Sequence, residues 1–501
     1  MSTLIPLLLL ACNGKTPGGA DSAGHGDTGV PADTASPADT AGRADTGSPD
    51  DTDACQDTGE GDTGKPQVTT VTRLEGASWT WTGEHADQLG YSVAFAGDTN
   101  GDGQQEMLAS APDQGAGPVL GTDEHFELVT IGVDGAPALL ATMHFRTQGQ
   151  AGTNFGVAAG GDLNGDGYDD VAVGDYSSIL NPDANLSGAV AVYLGPVSGD
   201  LDEYDADYTL TGSADNEHLG YQVAFVPNPD DPRRVSLIAV APTAPEGAAY
   251  LWRDLAASGT DDTADARFYG FSWAGWAANS AGDIDGDGVN DLLMSALGSV
   301  GRVFVVSGPF APDIDLETSE PALVGEDTST ETGSDVAGVG DLNGDGYDDI
   351  LIGDPFDEEV GGKAWLVYGP VRTSQSLADA PARLVPVSTD GYFGYSVAGL
   401  GDVNGDGSLD IGVGAPRDED LVMNRPGSVY LFSAPVCGTI SAADADLVIV
   451  GRETGDWAGA FMDGGRDIDG DGRPDLLVAS PFGSEGAPSG GEVDLLTGLS
   501  W

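Results

Sequence analysis

Asp162-Leu163-Asn164-Gly165-Asp166-Gly167-Tyr168-Asp169-Asp170 is one copy of a nine-residue loop that recurs from Asp98, Asp283, Asp341, Asp402 and Asp467. Side-chain oxygens stand at loop positions 1, 3, 5 and 9, and glycine stands at position 6. A hard dication such as Ca²⁺ takes six to eight oxygens at about 2.3–2.6 Å, and alternating Asp and Asn side chains supply them from a short segment. Glycine at position 6 allows a sharp turn where a side chain would clash. The candidate ligands are Asp98, Asn100, Asp102 and Glu106; Asp162, Asn164, Asp166 and Asp170; Asp283, Asp285, Asp287 and Asp291; Asp341, Asn343, Asp345 and Asp349; Asp402, Asn404, Asp406 and Asp410; and Asp467, Asp469, Asp471 and Asp475. The first copy departs from the others with Glu106 at position 9.

An EF-hand needs Glu at position 12 and flanking helices. Here position 12 is Ala109, Val173, Met294, Ile352, Val413 or Val478, so that reading is excluded. Short apolar segments surround the loops instead. Leu89-Gly90-Tyr91-Ser92-Val93-Ala94, Phe155-Gly156-Val157-Ala158 and Phe393-Gly394-Tyr395-Ser396-Val397-Ala398 lead in. Val171-Ala172-Val173-Gly174 and Ile350-Leu351-Ile352-Gly353 lead out, and a third run such as Gly427-Ser428-Val429-Tyr430-Leu431-Phe432 follows a glycine. A more polar fourth run, such as Ala445–Val450, precedes the next lead-in. Glycine and proline punctuate these runs, which predicts strands, and no helical period is evident.

Loop starts are separated by 64, 121, 58, 61 and 65 residues, so the interval of 121 hides a repeat. It holds the lead-in Leu219–Phe225 and the lead-out Leu237–Pro242, with Val226-Pro227-Asn228-Pro229-Asp230 in place of the acidic loop. Seven units of about 60 residues, each with four short strands, predict an all-β fold: a seven-bladed β-propeller of four-stranded antiparallel blades. The last unit stops after its third strand, Glu492–Thr497, and a spare strand, Ser78–Thr82, precedes the first lead-in. That N-terminal strand is expected to complete the last blade and close the ring.

The Phe-Gly lead-in, the Asp-x-Asn-Gly-Asp-Gly-x-x-Asp loop and the lead-out Gly414-Ala415-Pro416 together resemble the FG-GAP repeats of the integrin α-subunit head. The resemblance covers about residues 75–501 and implies a propeller with Ca²⁺ between the first two strands of up to six blades. It also implies a backbone carbonyl ligand at position 7: Gln104, Tyr168, Val289, Tyr347, Ser408 and Arg473. The domain inserted in some integrin α-subunits is absent, so no integrin ligand-binding activity is carried over.

Charge is extreme, with 82 acidic and 18 basic residues and a net charge of −64. Nucleic acid and anionic membrane surfaces need a basic footprint and are excluded as partners. The three cysteines, Cys12, Cys55 and Cys437, form no Cys/His cluster, and the five histidines are scattered and suggest no ligand set. Leu4–Leu10 is too short to span a bilayer and reads as the core of a signal peptide, residues 1–12. Its end, Leu9-Leu10-Ala11-Cys12, resembles the lipobox of bacterial lipoproteins, although no Lys or Arg precedes the core. The resemblance implies acylation of Cys12, export and anchoring at the outer membrane or cell surface. Residues 13–67 are rich in Asp, Thr, Gly and Pro with almost nothing apolar to bury, which predicts a disordered acidic tether. The propeller domain is then 68–501, and export permits Cys55 and Cys437 to pair.

For function, the sequence points to an envelope-anchored, monomeric binding or adhesion module for an extracellular protein or glycan. A structural spacer is the alternative. A polysaccharide-active enzyme is the weaker one, because no Ser/His/Asp or Cys/His arrangement is present. Trp273, Trp276 and Trp457 lie off the strand pattern, and packing between blades explains them as well as binding does, so no ligand-binding residue is assigned.

Overall fold

A computed structural model of the chain describes residues 70–83, 88–112, 123–131, 137–146, 156–178, 180–181, 184–244, 247–270, 274–298, 300–326, 331–356, 361–419, 425–484 and 489–501. The expected signal peptide, the tether, Cys12, Cys55, Phe155 and Trp273 lie outside them.

The strands form seven sheets. Blade 1 comprises Val93–Gly97, Glu106–Ala111, Asp123–Ile131 and Pro137–Arg146, joined antiparallel in that order. Blades 2 to 6 begin at Gly156, Val223, Ala274, Val336 and Val397 and repeat the pattern. Blade 7 takes Phe461–Arg466, Asp475–Ser480 and Glu492–Leu496, and its fourth strand is Trp79–Thr82, antiparallel to Glu492–Leu496. The closing strand is thus where the sequence places it. A four-residue α-helix, Leu316–Ser319, and short 3₁₀ turns interrupt the β-structure.

Second strands are buried at every residue in blades 1, 2, 4, 5, 6 and 7. A neighbouring blade covers each face, so these strands read as continuous apolar runs with no polar alternation. The core accordingly lies between blades. One cluster joins Leu163, Val190 and Val192 of blade 2 to Leu237, Tyr250 and Trp252 of blade 3, and another joins Leu108 and Phe126 of blade 1 to Val171 and Val173 of blade 2. Burying each such side chain is worth roughly 1.5–3 kcal/mol.

The lead-in glycine has a packing reason. A Cβ at Gly174 would sit 2.1 Å from the Gly220 carbonyl oxygen, and one at Gly414 would sit 2.1 Å from that of Gly459. The lead-in glycines Gly220, Gly394 and Gly459 thus each meet a glycine of the preceding blade, Gly174, Gly353 and Gly414, where two backbones touch and a Cβ on the latter has no room.

The expected four-stranded blade proves incomplete as a description. In five sheets the outer strand carries a fifth, parallel strand lent by the following blade's connection between third and fourth strands, and in blade 6 an N-terminal strand takes that place. Gly199–Asp202 of blade 2 adds to Pro137–Arg146 of blade 1, Gly438–Ser441 of blade 6 adds to Ala382–Val385 of blade 5, and Thr70–Arg73 adds to Leu447–Val450 of blade 6. Among the described residues, blade 7 alone has four.

Candidate functional site

Each acidic loop begins at a kink. The pairing of first and second strands slips just before Asp98, Asp162, Asp283, Asp341, Asp402 and Asp467, and not in blade 3. A glycine at positive φ (Gly97 at 71°, Gly282 at 78°, Gly340 at 74°) carries the bulge, which bends the strand end and aims the loop.

Within the loop the carboxylates organise the backbone. In blade 5, Asp341 Oδ1 accepts from Gly344 N at 2.7 Å and Asp345 N at 3.0 Å, and Asp341 Oδ2 accepts from Gly346 N at 2.9 Å. Asn343 Oδ1 accepts from Asp345 N at 2.9 Å, and Asp345 Oδ1 accepts from Tyr347 N at 3.0 Å. The same bonds recur around Asp162, Asp283 and Asp467. Positions 1, 3 and 5 are thus gathered on one turn in every copy. Asp283, Asp285 and Asp287, and likewise Asp467, Asp469 and Asp475, present oxygens within 4.8 Å of one another.

Position 9 has a second task. Asp349, fully buried, accepts from Leu342 N at 2.8 Å and, from the end of the third strand, Gly369 N at 2.9 Å. Asp170 and Asp291 bind Gly195 N and Gly308 N in the same way. In blade 7, Asp475 Oδ1 is buried with no hydrogen-bond partner among the described residues. Burial pushes the position-9 carboxyls up, to about 6 for Asp170, Asp291 and Asp410 and about 7 for Asp349 and Asp475, and neighbouring loop carboxylates add to this. A dication reverses the local balance by neutralising them. The oxygen-only donor set, the converging triads and the orphaned oxygen of Asp475 fit a hard cation. In blade 1, Glu106 reaches further and is occupied by Thr99 N and Thr99 Oγ1, both at 2.8 Å, and by Asn100 Nδ2 at 3.0 Å.

Position 8 is a feature the sequence reading missed. Asp169 Oδ2 of blade 2 accepts from Asp98 N of blade 1 at 2.8 Å, while Asp169 N donates back to Asp98 O at 3.1 Å. Asp348 and Asp283 repeat this between blades 5 and 4. The rings of Tyr168 and Tyr347 at position 7 lie against Gly101 and Gly286 of the same preceding loops. Position 8 is Leu409 in blade 6 and Pro474 in blade 7, which can form no such bond. Aspartates at position 8 in two copies were the available signal.

The opposite ends of the first strands carry aromatic rings. Tyr91 lies 5.6 Å from Phe461, Phe461 6.2 Å from Tyr395, Tyr176 5.6 Å from Tyr221, and Tyr221 4.8 Å from Trp276. Trp457 stacks edge-on with Phe482 at 5.0 Å. Trp276 and Trp457 are thus packed against other rings. Cys437 is disulfide-bonded.

Residues 332–367, 393–432 and 458–496, each running from lead-in to third strand, match the FG-GAP repeat family. Three blades of this β-propeller are thus FG-GAP repeats. The chain is 38% identical to integrin alpha-7 of Rattus norvegicus over 167 residues, which is 32% of this chain and 14% of the relative. It is 33% identical to integrin alpha-3 of Cricetulus griseus over 36% of this chain and 17% of the relative. Integrin alpha-IIb of Mus musculus is 30% identical over 43% of this chain and 22% of its own length. The match therefore spans less than a quarter of those relatives. A solved structure of BBS1N in complex with ARL6DN covers 85% of this chain at 9% identity and a TM-score of 0.42.

Proposed function

We propose that this FG-GAP propeller is a calcium-stabilised binding or adhesion module for an extracellular protein or glycan, held at the cell envelope through a lipid on Cys12. The observation that carries the reading is the division of labour between the two ends of the first strands. All six acidic loops lie at one end, in the same turn of each blade, and serve to fasten it. The other end carries the aromatic lead-ins and is left for recognition. The similarity to integrin alpha chains supports a binding module over a catalyst.

Calcium acts here as a structural tie. Without it, several carboxylates crowd one turn and repel. Mg²⁺ substitutes poorly, because it demands a small octahedral shell and releases water reluctantly. With Cys12 acylated, Cys55 is the cysteine left to pair with Cys437, which non-reducing peptide mapping would reveal.

The purified chain is to be probed on glycan and extracellular-protein arrays in calcium and in chelator. Calcium-dependent capture of a defined ligand class is expected. Silence on both arrays would favour the spacer reading. Fatty-acid labelling that persists in Cys12→Ala would remove the anchor from the proposal.

A further inference from the structure

The histidines that look scattered in sequence are not all apart in space. His125 and His144 stand directly opposite in the antiparallel pair Asp123–Ile131 and Pro137–Arg146, with ring centroids 5.8 Å apart. Each ring meets a carboxylate: His125 Nε2 lies 3.3 Å from Glu127 Oε1, and His144 Nε2 lies 2.9 Å from Asp200 Oδ1. Asp200 comes from the strand that blade 2 lends to blade 1. The other oxygen of Glu127 accepts from Trp81 Nε1 at 2.7 Å, and Trp81 lies on the closing strand of blade 7.

We propose that His125, His144, Glu127 and Asp200 bind one Zn²⁺ at the seam between blades 7 and 1. This site is separate from the acidic loops and does not depend on their taking calcium.

The donor chemistry selects the metal. Imidazole with carboxylate suits zinc, whereas the all-oxygen loops suit calcium. Tetrahedral zinc with bonds of roughly 2.1 Å sets its ligand atoms about 3.4 Å apart, close to the 3.3 Å between His125 Nε2 and Glu127 Oε1. The donors stand as two separate His–carboxylate pairs, and one ion requires the two imidazoles to turn toward each other. Directly opposed residues of one ladder have Cβ atoms about 4.5–5.5 Å apart, so the strands need not move. The Trp81 bond orients Glu127, as hydrogen bonds behind metal ligands commonly do.

Position supplies an independent argument. Among the described residues, blade 7 is the sheet without a fifth strand. An ion here would join side chains of blades 1 and 2 and, through Trp81, the closing strand. It would brace the seam that lacks the parallel tie found elsewhere.

The test uses the full chain in saturating Ca²⁺, titrated with Zn²⁺ alone by calorimetry and equilibrium dialysis. One zinc per chain is expected. His125→Ala and His144→Ala should each weaken uptake by at least ~10-fold, in line with the loss typical when a metal's surroundings are disturbed. Co²⁺ should give a visible spectrum of tetrahedral strength that both variants lose. Both side chains are partly exposed, at 16% and 29%, so the variants should keep the wild-type calcium melt, which serves as the folding control. Absence of zinc uptake in saturating calcium would overturn the proposal. So would full retention of zinc by the folded double variant.

Discussion

Blades 5 and 3 cross from first strand to second in different ways. Blade 5 slips register between Gly338 and Gly340 and then runs through its acidic loop. Blade 3 keeps an unbroken register from Val223↔Ala239 to Pro227↔Val235 and turns on Asn228, whose Oδ1 accepts from Asp230 N at 2.8 Å and whose Nδ2 donates to Arg253 O at 2.8 Å. Both blades nevertheless reach back to the loop before them. Blade 5 does so with Asp348, whose Oδ2 accepts from Asp283 N at 2.7 Å. Blade 3 does so with Arg234, whose Nε donates to Leu163 O at 3.0 Å while Nη1 meets Asp254 Oδ1 at 2.6 Å. At these two seams, as at the one between blades 1 and 2, a side chain ties the turn to the neighbouring blade. A carboxylate or a guanidinium can make the tie, and a cation loop is one way of building the turn that carries it.

If that is right, emptying the loops should loosen six blades and spare the internal turn of blade 3. Removing calcium is expected to have the largest effect of any change, since each site filled at a hundredfold excess over its Kd adds roughly 2.7 kcal/mol. Calorimetry in calcium and in chelator checks it, and coincident melts would break the comparison. Hydrogen exchange sharpens it: amides of Val235–Ala241 should remain the best protected of the second strands in chelator.

Next in size is a guanidinium tie at the closing seam. Arg452, with its side chain 8% exposed, bonds Glu492 Oε2 at 2.9 Å, Asp494 Oδ2 at 2.7 Å and Leu74 O at 2.8 Å. Arg452→Met would leave buried carboxylates without their cation, and a loss of about 3–5 kcal/mol is expected by denaturant unfolding. Arg234→Met should be smaller, about 1.5–3 kcal/mol, as for a hydrogen bond from a charged group. It should also weaken calcium at the blade 2 loop while leaving blades 4 to 7 unchanged. Asp348→Ala should do the same to the blade 4 loop, and equal calcium titrations for wild type and variant would refute the tie.

A collective effect, separate from the single substitutions, is a pH slope. Burial raises Asp175 and Asp335 to about 6 and Glu331 and Asp456 to about 7. Free carboxyls titrate near 4, so between about pH 4 and 7 the folded chain holds more protons than the unfolded one. Stability from these groups is therefore present at the acid end and falls as pH rises through the folded values. In chelator the chain should melt higher at pH 5 than at pH 7.5.

The ring, its loops and the closing strand were legible because each is written as a periodic pattern of apolar runs and turn residues. The lent strands were not. Gly199-Asp200-Leu201-Asp202 and Gln375-Ser376 are too short and too polar to carry a strand period, and they pair only because a neighbouring edge is present. Asp169 and Asp348 were hidden for a related reason, since their partners belong to another repeat. His125 and His144 are nineteen positions apart in sequence, and only the register of the hairpin makes them neighbours.

The pairing of Trp79–Thr82 with Glu492–Leu496 also sets an order of events in time. The first strands to be synthesised have no partner until the last ones arrive, and contacts between such distant residues form slowly. Six blades can assemble as they emerge, while the seventh remains a three-stranded sheet until the two ends of the propeller meet. Closure is then a single late step, and a chain that loses its final ten residues would keep most of its blades yet never lock.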